Sequence, residues 1–214
     1  MKLFNYFRSS ASFRVRIALN LKGLSYDYQP VHLVKGEQRA PDYTRLVPDG
    51  LVPMLEVDGA HLTQSMAIIE YLDECHPQPP LLPADALGRA RVRALAQSIA
   101  CEIHPINNLR VLQYLSRELK VSDEAKNAWY AHWVRQGLES FELQLQAQAQ
   151  TPSRFCHGEQ PTLADCCLVP QIFNAQRFKV DLAGLDRTMA VFESCMALPA
   201  FQQAQPSACP DCDA

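Results

Sequence analysis

LVPMLEVDGAHLTQSMAIIEYL, Leu51 to Leu72, is the stretch whose reading decides the fold. Met54 to Val57 is a short run with an apolar bias, and Asp58-Gly59 behind it is a strong hairpin signal, because both turn positions ask for a positive φ. Ala60 to Thr63 then reads as the returning strand. Gln64-Ser65 stands in front of Met66, Ile68, Ile69 and Leu72, which repeat at helical spacing with Tyr71 beside them. The segment is strand, tight turn, strand, polar helix start and amphipathic helix.

Pro53 stands at the mouth of the first of these strands, where the ladder does not need its N–H. A trans Val52-Pro53 bond is the default. A cis bond would turn the Val52 N–H and C=O outward, extended and unpaired. Ser65 would sit beside them with the open N–H groups of a helix N-terminus, which suit a carboxylate. Together these features fit a peptide that carries a terminal carboxylate. An ordinary hairpin packed on a helix is the other reading.

The 214 residues hold one large domain or two small ones, and burying a core is no difficulty at this length. Hydrophobic content of 48% with 20% charged residues is that of a soluble globular protein, and a net charge of -3 argues against a nucleic-acid binder. The N-terminal stretch has arginines spread through it and no continuous apolar core, so it reads as neither signal peptide nor membrane span. The eight cysteines fall mostly among apolar helical residues, which points to reduced, buried thiols in a cytoplasmic setting. Cys209-Pro-Asp-Cys212 also matches a redox or zinc pattern, but it has no second pair and reads as a tail with incidental thiols.

Lys2 to Phe7 alternates as a first strand, followed by a helix from Phe13 to Lys22 with Ser12 as cap and Gly23 past its end. Ser25 to Val34 is a second strand, and Pro41 to Leu46 a short helix. The order β-α-β-α-β-β-α fits a thioredoxin-like α/β domain over residues 1–80. The proline cluster of His76 to Pro83 is a stiff linker. From 84 to 214 the pattern is all-helical. Leu87 to Glu118 reads as one helix kinked at Pro105, and another runs from Ser122 or Asp123 to about Gln148, ended by Thr151-Pro152. Thr162-Leu163-Ala164-Asp165 is a capping box before the apolar run Cys166 to Phe173. Leu185 to Met196 is a last helix, and Pro199 and Pro206 lead into a loose tail.

YFRSSASFRVRIAL, Tyr6 to Leu19, resembles the signature of the zeta-class glutathione transferases, whose usual form is Ser-Ser-Cys-Ser-Trp-Arg-Val-Arg. The similarity continues through HLTQSMAIIEYL, LLP, HPINNL, TLADCCLVPQ and NAQRFKVDL, essentially the whole chain. It implies the cytosolic glutathione transferase architecture, with a cis Pro53, and a homodimer. It also implies glutathione as the bound cofactor, held by Val52, Pro53, Gln64 and Ser65. His104 and Asn108, one helical turn apart and so sharing a face, either bind its glycine end or pack at an interface.

The reaction implied is cis–trans isomerisation of an unsaturated dicarboxylate by reversible thiolate addition, on maleylpyruvate or maleylacetoacetate. Ser9, with Ser10 behind it, is the expected thiolate partner; a plain helix cap is the other reading of these serines. The class's cysteine position holds Ala11 here, so a mechanism that needs a cysteine there is excluded. Arg8, Arg110 and Arg177 are the candidates for the two carboxylates and the developing enolate charge. Arg110 departs from the class pattern, and an extra guanidinium favours the shorter, more acidic maleylpyruvate. No metal is expected. A glutathione-consuming transferase for halogenated acids, and a non-catalytic binding module, are the competing readings.

Overall fold

The computed structural model describes residues 1–147 and 153–212. Asp58 and Gly59 both take left-handed φ values, 49° and 79°, so the mirror-image turn folds Met54–Val57 (β3) onto Ala60–Thr63 (β4). Lys2–Asn5 (β1) lies antiparallel to β3 and parallel to Asp27–Pro30 (β2), giving the sheet order β2-β1-β3-β4. The parallel step is bridged by Ser10–Leu21 (α1), and Pro41–Leu46 (α2) and Ser65–Cys75 (α3) complete the unit. Val52-Pro53 is cis, as is Gln78-Pro79, which the reading of the sequence did not foresee.

Ser9, not Ser12, caps α1: its Oγ accepts the Ser12 N–H at 3.2 Å. Ser12 is fully buried one turn on, and its hydroxyl accepts the Tyr6 N–H at 3.5 Å instead. Arg16 of α1 is 1% exposed. Its Nε donates to the Ala204 carbonyl (2.9 Å), Nη1 to Asn5 Oδ1 (2.9 Å) and the Tyr6 carbonyl (3.4 Å), and Nη2 to the Phe7 carbonyl (2.9 Å).

Those bonds explain a difference at the C-terminus. The chain divides into two compact units, Met1–Leu81 with Met196–Ala214, and Leu82–Cys195. Residues 197–212 thus go with the first unit, not with the helical one, and they are not loose. Pro199–Ala204 (α9) buries Phe201 completely and packs on α1, where Asn20 Nδ2 also donates to the Ala200 carbonyl at 3.0 Å. Beyond it, Asp211 accepts the Phe7 N–H at 3.2 Å and the Tyr28 hydroxyl, and Cys209 is buried. The proline linker is tied to the first unit as well: Lys22 Nζ donates to Asp73 (2.8 Å) and to the His76 and Pro79 carbonyls at 2.7 and 3.0 Å.

In the second unit the long helix expected over Leu87 to Glu118 is broken rather than kinked. Ala86–Gln97 (α4) passes into a wide π-type turn, Ser98–Ile103, where the His104 N–H reaches back five residues to Ile99 at 2.9 Å. A tight turn, Pro105–Asn107, follows, and Asn108 is extended before Leu109–Arg117 (α5). Pro105 has no N–H to give, and the chain resolves this by ending one helix and capping another. His104 and Asn108 therefore do not share a helical face.

Asp123–Gln146 (α6), with Ser122 as its cap, runs against the π turn. Gly137 permits this approach, since a Cβ there would lie 2.3 Å from Ile103 Cγ1. The expected stop at Thr151-Pro152, and the helix end near Gln148, fall outside the described residues. Leu163–Arg177 (α7) starts at the capping box: Asp165 Oδ2 accepts the Thr162 N–H (2.7 Å) and hydroxyl (2.8 Å), and Oδ1 accepts the Cys156 N–H at 2.9 Å. Asp186–Met196 (α8) takes its N-terminal partner from α6. Glu142, 4% exposed, accepts the Arg187 N–H (3.0 Å) on Oε1, and the Thr188 N–H (2.7 Å) and hydroxyl (2.6 Å) on Oε2.

Replacing Arg16 with Met leaves those oxygens without a donor, at ~1–3 kcal/mol for each that stays dry. Denaturant unfolding should show a loss of about 3 kcal/mol or more; a change below 1 kcal/mol would contradict the anchor. Glu142 gives a second expectation. Burial alone would raise its carboxyl, but the hydrogen bonds from Thr188 and Arg187 outweigh it and hold the group below its ordinary range. A lowered folded pKa adds stability above the unfolded value and loses it as pH falls through the folded one. Glu142→Gln should therefore destabilise at neutral pH and differ progressively less from the parent as the pH falls below about 4; unfolding curves at several pH values measure this.

Candidate functional site

Two helix starts in the first unit carry the candidate groups. At α1, the half-buried Ser9 is the N-cap and the buried Ser10 is the first helical residue. Arg8, just before them, is exposed, and its guanidinium is fixed by Tyr6. Nε and Nη2 donate to the Tyr6 hydroxyl at 3.1 and 2.7 Å, and the group lies 4.9 Å from the Phe7 ring centroid. A guanidinium already held in place loses little freedom when it meets an anion.

At α3, Gln64 is the N-cap residue with φ 67°, and its own side chain makes no cap bond. Gln64 is exposed; Ser65 is buried, and its Oγ accepts a hydrogen bond from Arg14 Nη1 at 3.3 Å. The ladder of β3 ends at Met54 toward both neighbours, which leaves the Val52 backbone beyond it. The Val52 side chain packs on a cluster of Tyr6, Phe7 and Cys209. The fold thus gathers Arg8, Ser9, Ser10, Val52, Pro53, Gln64 and Ser65 in one unit, through that cluster and the Arg14–Ser65 bond.

The other candidates lie in the second unit. His104 closes the π turn, and Asn108 is the N-cap of α5, its Oδ1 accepting the Arg110 N–H at 3.1 Å. Arg110 is exposed in the first turn of that helix. Arg177 is in the last turn of α7 with its guanidinium 4.6 Å from the Phe178 ring centroid, and Phe178 stacks on Tyr130 at 4.0 Å.

Three groups were missed in the sequence: Tyr6 as the holder of Arg8, Arg14 behind Ser65, and Asp211 on the Phe7 backbone. A signal for Arg14 was present. Phe13, Val15, Ile17 and Leu19 surround it, and a helix that is apolar all round has no wet face to offer a basic residue. Nothing local marks Asp211, whose partners are some two hundred positions away.

Comparison with known proteins adds to this geometry. A family profile for the glutathione S-transferase N-terminal domain matches residues 1–74. A maleylpyruvate isomerase from Ralstonia is 48% identical over 211 residues, covering 99% of each chain. A probable maleylacetoacetate isomerase from Vibrio cholerae is also 48% identical, over 212 residues, covering 98% of this chain and 97% of its own. Among solved structures, the holo form of a zeta-class bacterial maleylpyruvate isomerase superposes with a TM-score of 0.97 at 48% identity, over 100% of both chains. A maleylacetoacetate isomerase from Anaeromyxobacter dehalogenans, with glutathione in its active site, gives 0.88 at 42% identity, over 99% of this chain and 97% of that one.

Ser9 has a measurable structural share in this arrangement. Ser9→Ala should cost ~1 kcal/mol of stability, and Ser9→Asn should restore it, because Asn caps as well as Ser does. Equal losses for both in thermal and denaturant unfolding would contradict the cap.

Proposed function

This chain belongs to the zeta-class glutathione S-transferases, and from that membership we propose that it is a glutathione-dependent cis–trans isomerase converting maleylpyruvate to fumarylpyruvate. Maleylacetoacetate is the close alternative substrate, since relatives of both names are 48% identical to it. Arg110 favours maleylpyruvate, because one more guanidinium suits a shorter diacid whose charges lie closer together. The observation that carries the reading is the pair of helix starts in one unit, a serine-capped one at Ser9 and one at Ser65 where the Gln64 side chain makes no cap bond.

These residues fit glutathione. Its γ-glutamyl carboxylate matches the α3 start, with Gln64, the Ser65 hydroxyl and the helix N-terminus as the groups that meet it. The Val52 backbone, beyond its ladder and next to Pro53, suits pairing with the peptide backbone of the cysteinyl residue. His104 and the Asn108 amide nitrogen are assigned to its glycine end. When bound, glutathione supplies the nucleophilic sulfur that adds reversibly to a carbon–carbon double bond and so permits rotation.

The protein's part is to make and orient that thiolate. A thiol with its pKa near 8.5 is mostly protonated at neutral pH. The α1 N-terminus, with Ser9 donating its hydroxyl proton and Ser10 behind it, favours the charged form. Arg8, already aimed by Tyr6, is assigned to a substrate carboxylate beside this sulfur, and Arg110 and Arg177 to the remaining carboxylate and the charge that develops on the carbonyl oxygen. A homodimer and a cytoplasmic setting complete the proposal, both on the strength of the class.

The test is incubation with each substrate, with and without glutathione, following substrate loss and total thiol together. Isomerisation should require glutathione, leave total thiol unchanged, and show the higher kcat/KM on maleylpyruvate. Stoichiometric loss of thiol would make the protein a conjugating transferase instead.

A further inference from the structure

We propose that Arg14 is a positioning residue for the carboxylate subsite at the α3 start, acting through Ser65 on a ligand that ends in an α-amino-acid group. The inference rests on the glutathione reading above and adds to it a residue that touches no ligand.

Arg14 is 2% exposed and lies among the apolar residues of α1, yet Nη1 crosses to α3 and donates to Ser65 Oγ at 3.3 Å. An arginine only donates, and a serine hydroxyl has one proton and two lone pairs. With Arg14 giving its proton to Oγ, the Ser65 O–H is left to donate in turn. Ser65 is the first residue of α3, so its hydroxyl stands beside the N–H groups that the Gln64 side chain does not cap. A carboxylate placed there receives the O–H, the backbone N–H groups and, behind them, a positive charge in a poorly hydrated interior. There the charge acts across a lower effective dielectric than a surface arginine's would. A neutral group at the same place gains little from the guanidinium. Arg14 therefore selects for charge at one end of the ligand and contributes little to the rest.

A tie between α1 and α3 with no effect on the ligand is the competing account, and two ligands separate the two. Glutathione carries the α-carboxylate; 4-aminobutyryl-cysteinyl-glycine is the same tripeptide without it. Both are titrated calorimetrically into the parent, Arg14→Met and Arg14→Lys. Arg14→Met should weaken glutathione at least tenfold and the analogue less than twofold, with Arg14→Lys in between. In a Ser65→Ala background the Arg14→Met effect on glutathione should shrink to under threefold. Equal weakening of both ligands, or an undiminished loss without Ser65, overturns the proposal. If Arg14→Met does not fold, Arg14→Lys decides by the same comparison: a loss confined to glutathione supports the proposal, and equal or absent losses overturn it. A parent protein that binds both ligands equally well would instead overturn the placement of glutathione itself.

Discussion

Arg16 takes a positive charge into the interior of the first unit and replaces its water shell with oxygen atoms of the chain. Three carbonyls, from Tyr6, Phe7 and Ala204, and the side-chain oxygen of Asn5 surround it. A buried guanidinium is stable only while such acceptors stay in place, and removing it would leave them dry. The constraint therefore runs both ways. It fixes the chain leaving β1 through Tyr6 and Phe7, which lead directly to Arg8 and Ser9, and it draws α9 onto α1. Asp211 then grips the same loop from outside, through the Phe7 N–H and the Tyr28 hydroxyl. The candidate sulfur-binding loop is held by one residue in the helix that follows it and by another near the C-terminus.

Arg14 and Arg16 are two residues apart, and at ~100° per residue they point in nearly opposite directions from the axis of α1. One meets α3 at Ser65, the other the end of β1 and α9. A single helix thus ties together both helix starts of the candidate site: its own, through Ser9, and that of α3, through Arg14. This accounts for two buried arginines in one helix. Neither is there for solubility, and replacing either with an apolar residue of similar size would remove a link between elements as well as a charge.

What was legible in the sequence follows the range of the interactions involved. The hairpin at Asp58-Gly59, the helix Pro41–Leu46 and the capping box at Thr162–Asp165 depend on neighbours within a few residues, and each appears at the positions read for it. The break at Pro105 was located but misjudged. Proline says that a helix is interrupted; whether it bends or ends depends on whether a new cap stands close by, and Asn108 was weighed as a glycine-end binder or an interface residue without its capping role. The tail was misread because its fixed position comes from Arg16, Asn20, Phe7 and Tyr28, none of them near it in sequence. Ser9 and Ser65 were named as candidates from pattern, while Tyr6 and Arg14 reach Arg8 and Ser65 through side-chain contacts that no spacing rule encodes.

The distribution of thiols bears on where the reactive sulfur comes from. Burial pushes the Cys156, Cys195 and Cys209 thiols above their usual range, which makes them poor sources of thiolate at neutral pH. Cys166 and Cys167 are enclosed within α7. Cys75 is exposed and is the last residue of α3. Cys101 lies on the exposed side of the π turn, and Cys212 follows a turn instead of opening a helix. The setting that lowers a thiol's pKa, a helix N-terminus with a hydroxyl donor and an arginine alongside, occurs at Arg8-Ser9-Ser10-Ala11, where the chain has no cysteine of its own. On the proposed reading that place receives a thiolate from the bound ligand, and the α3 start receives the carboxylate at the ligand's other end.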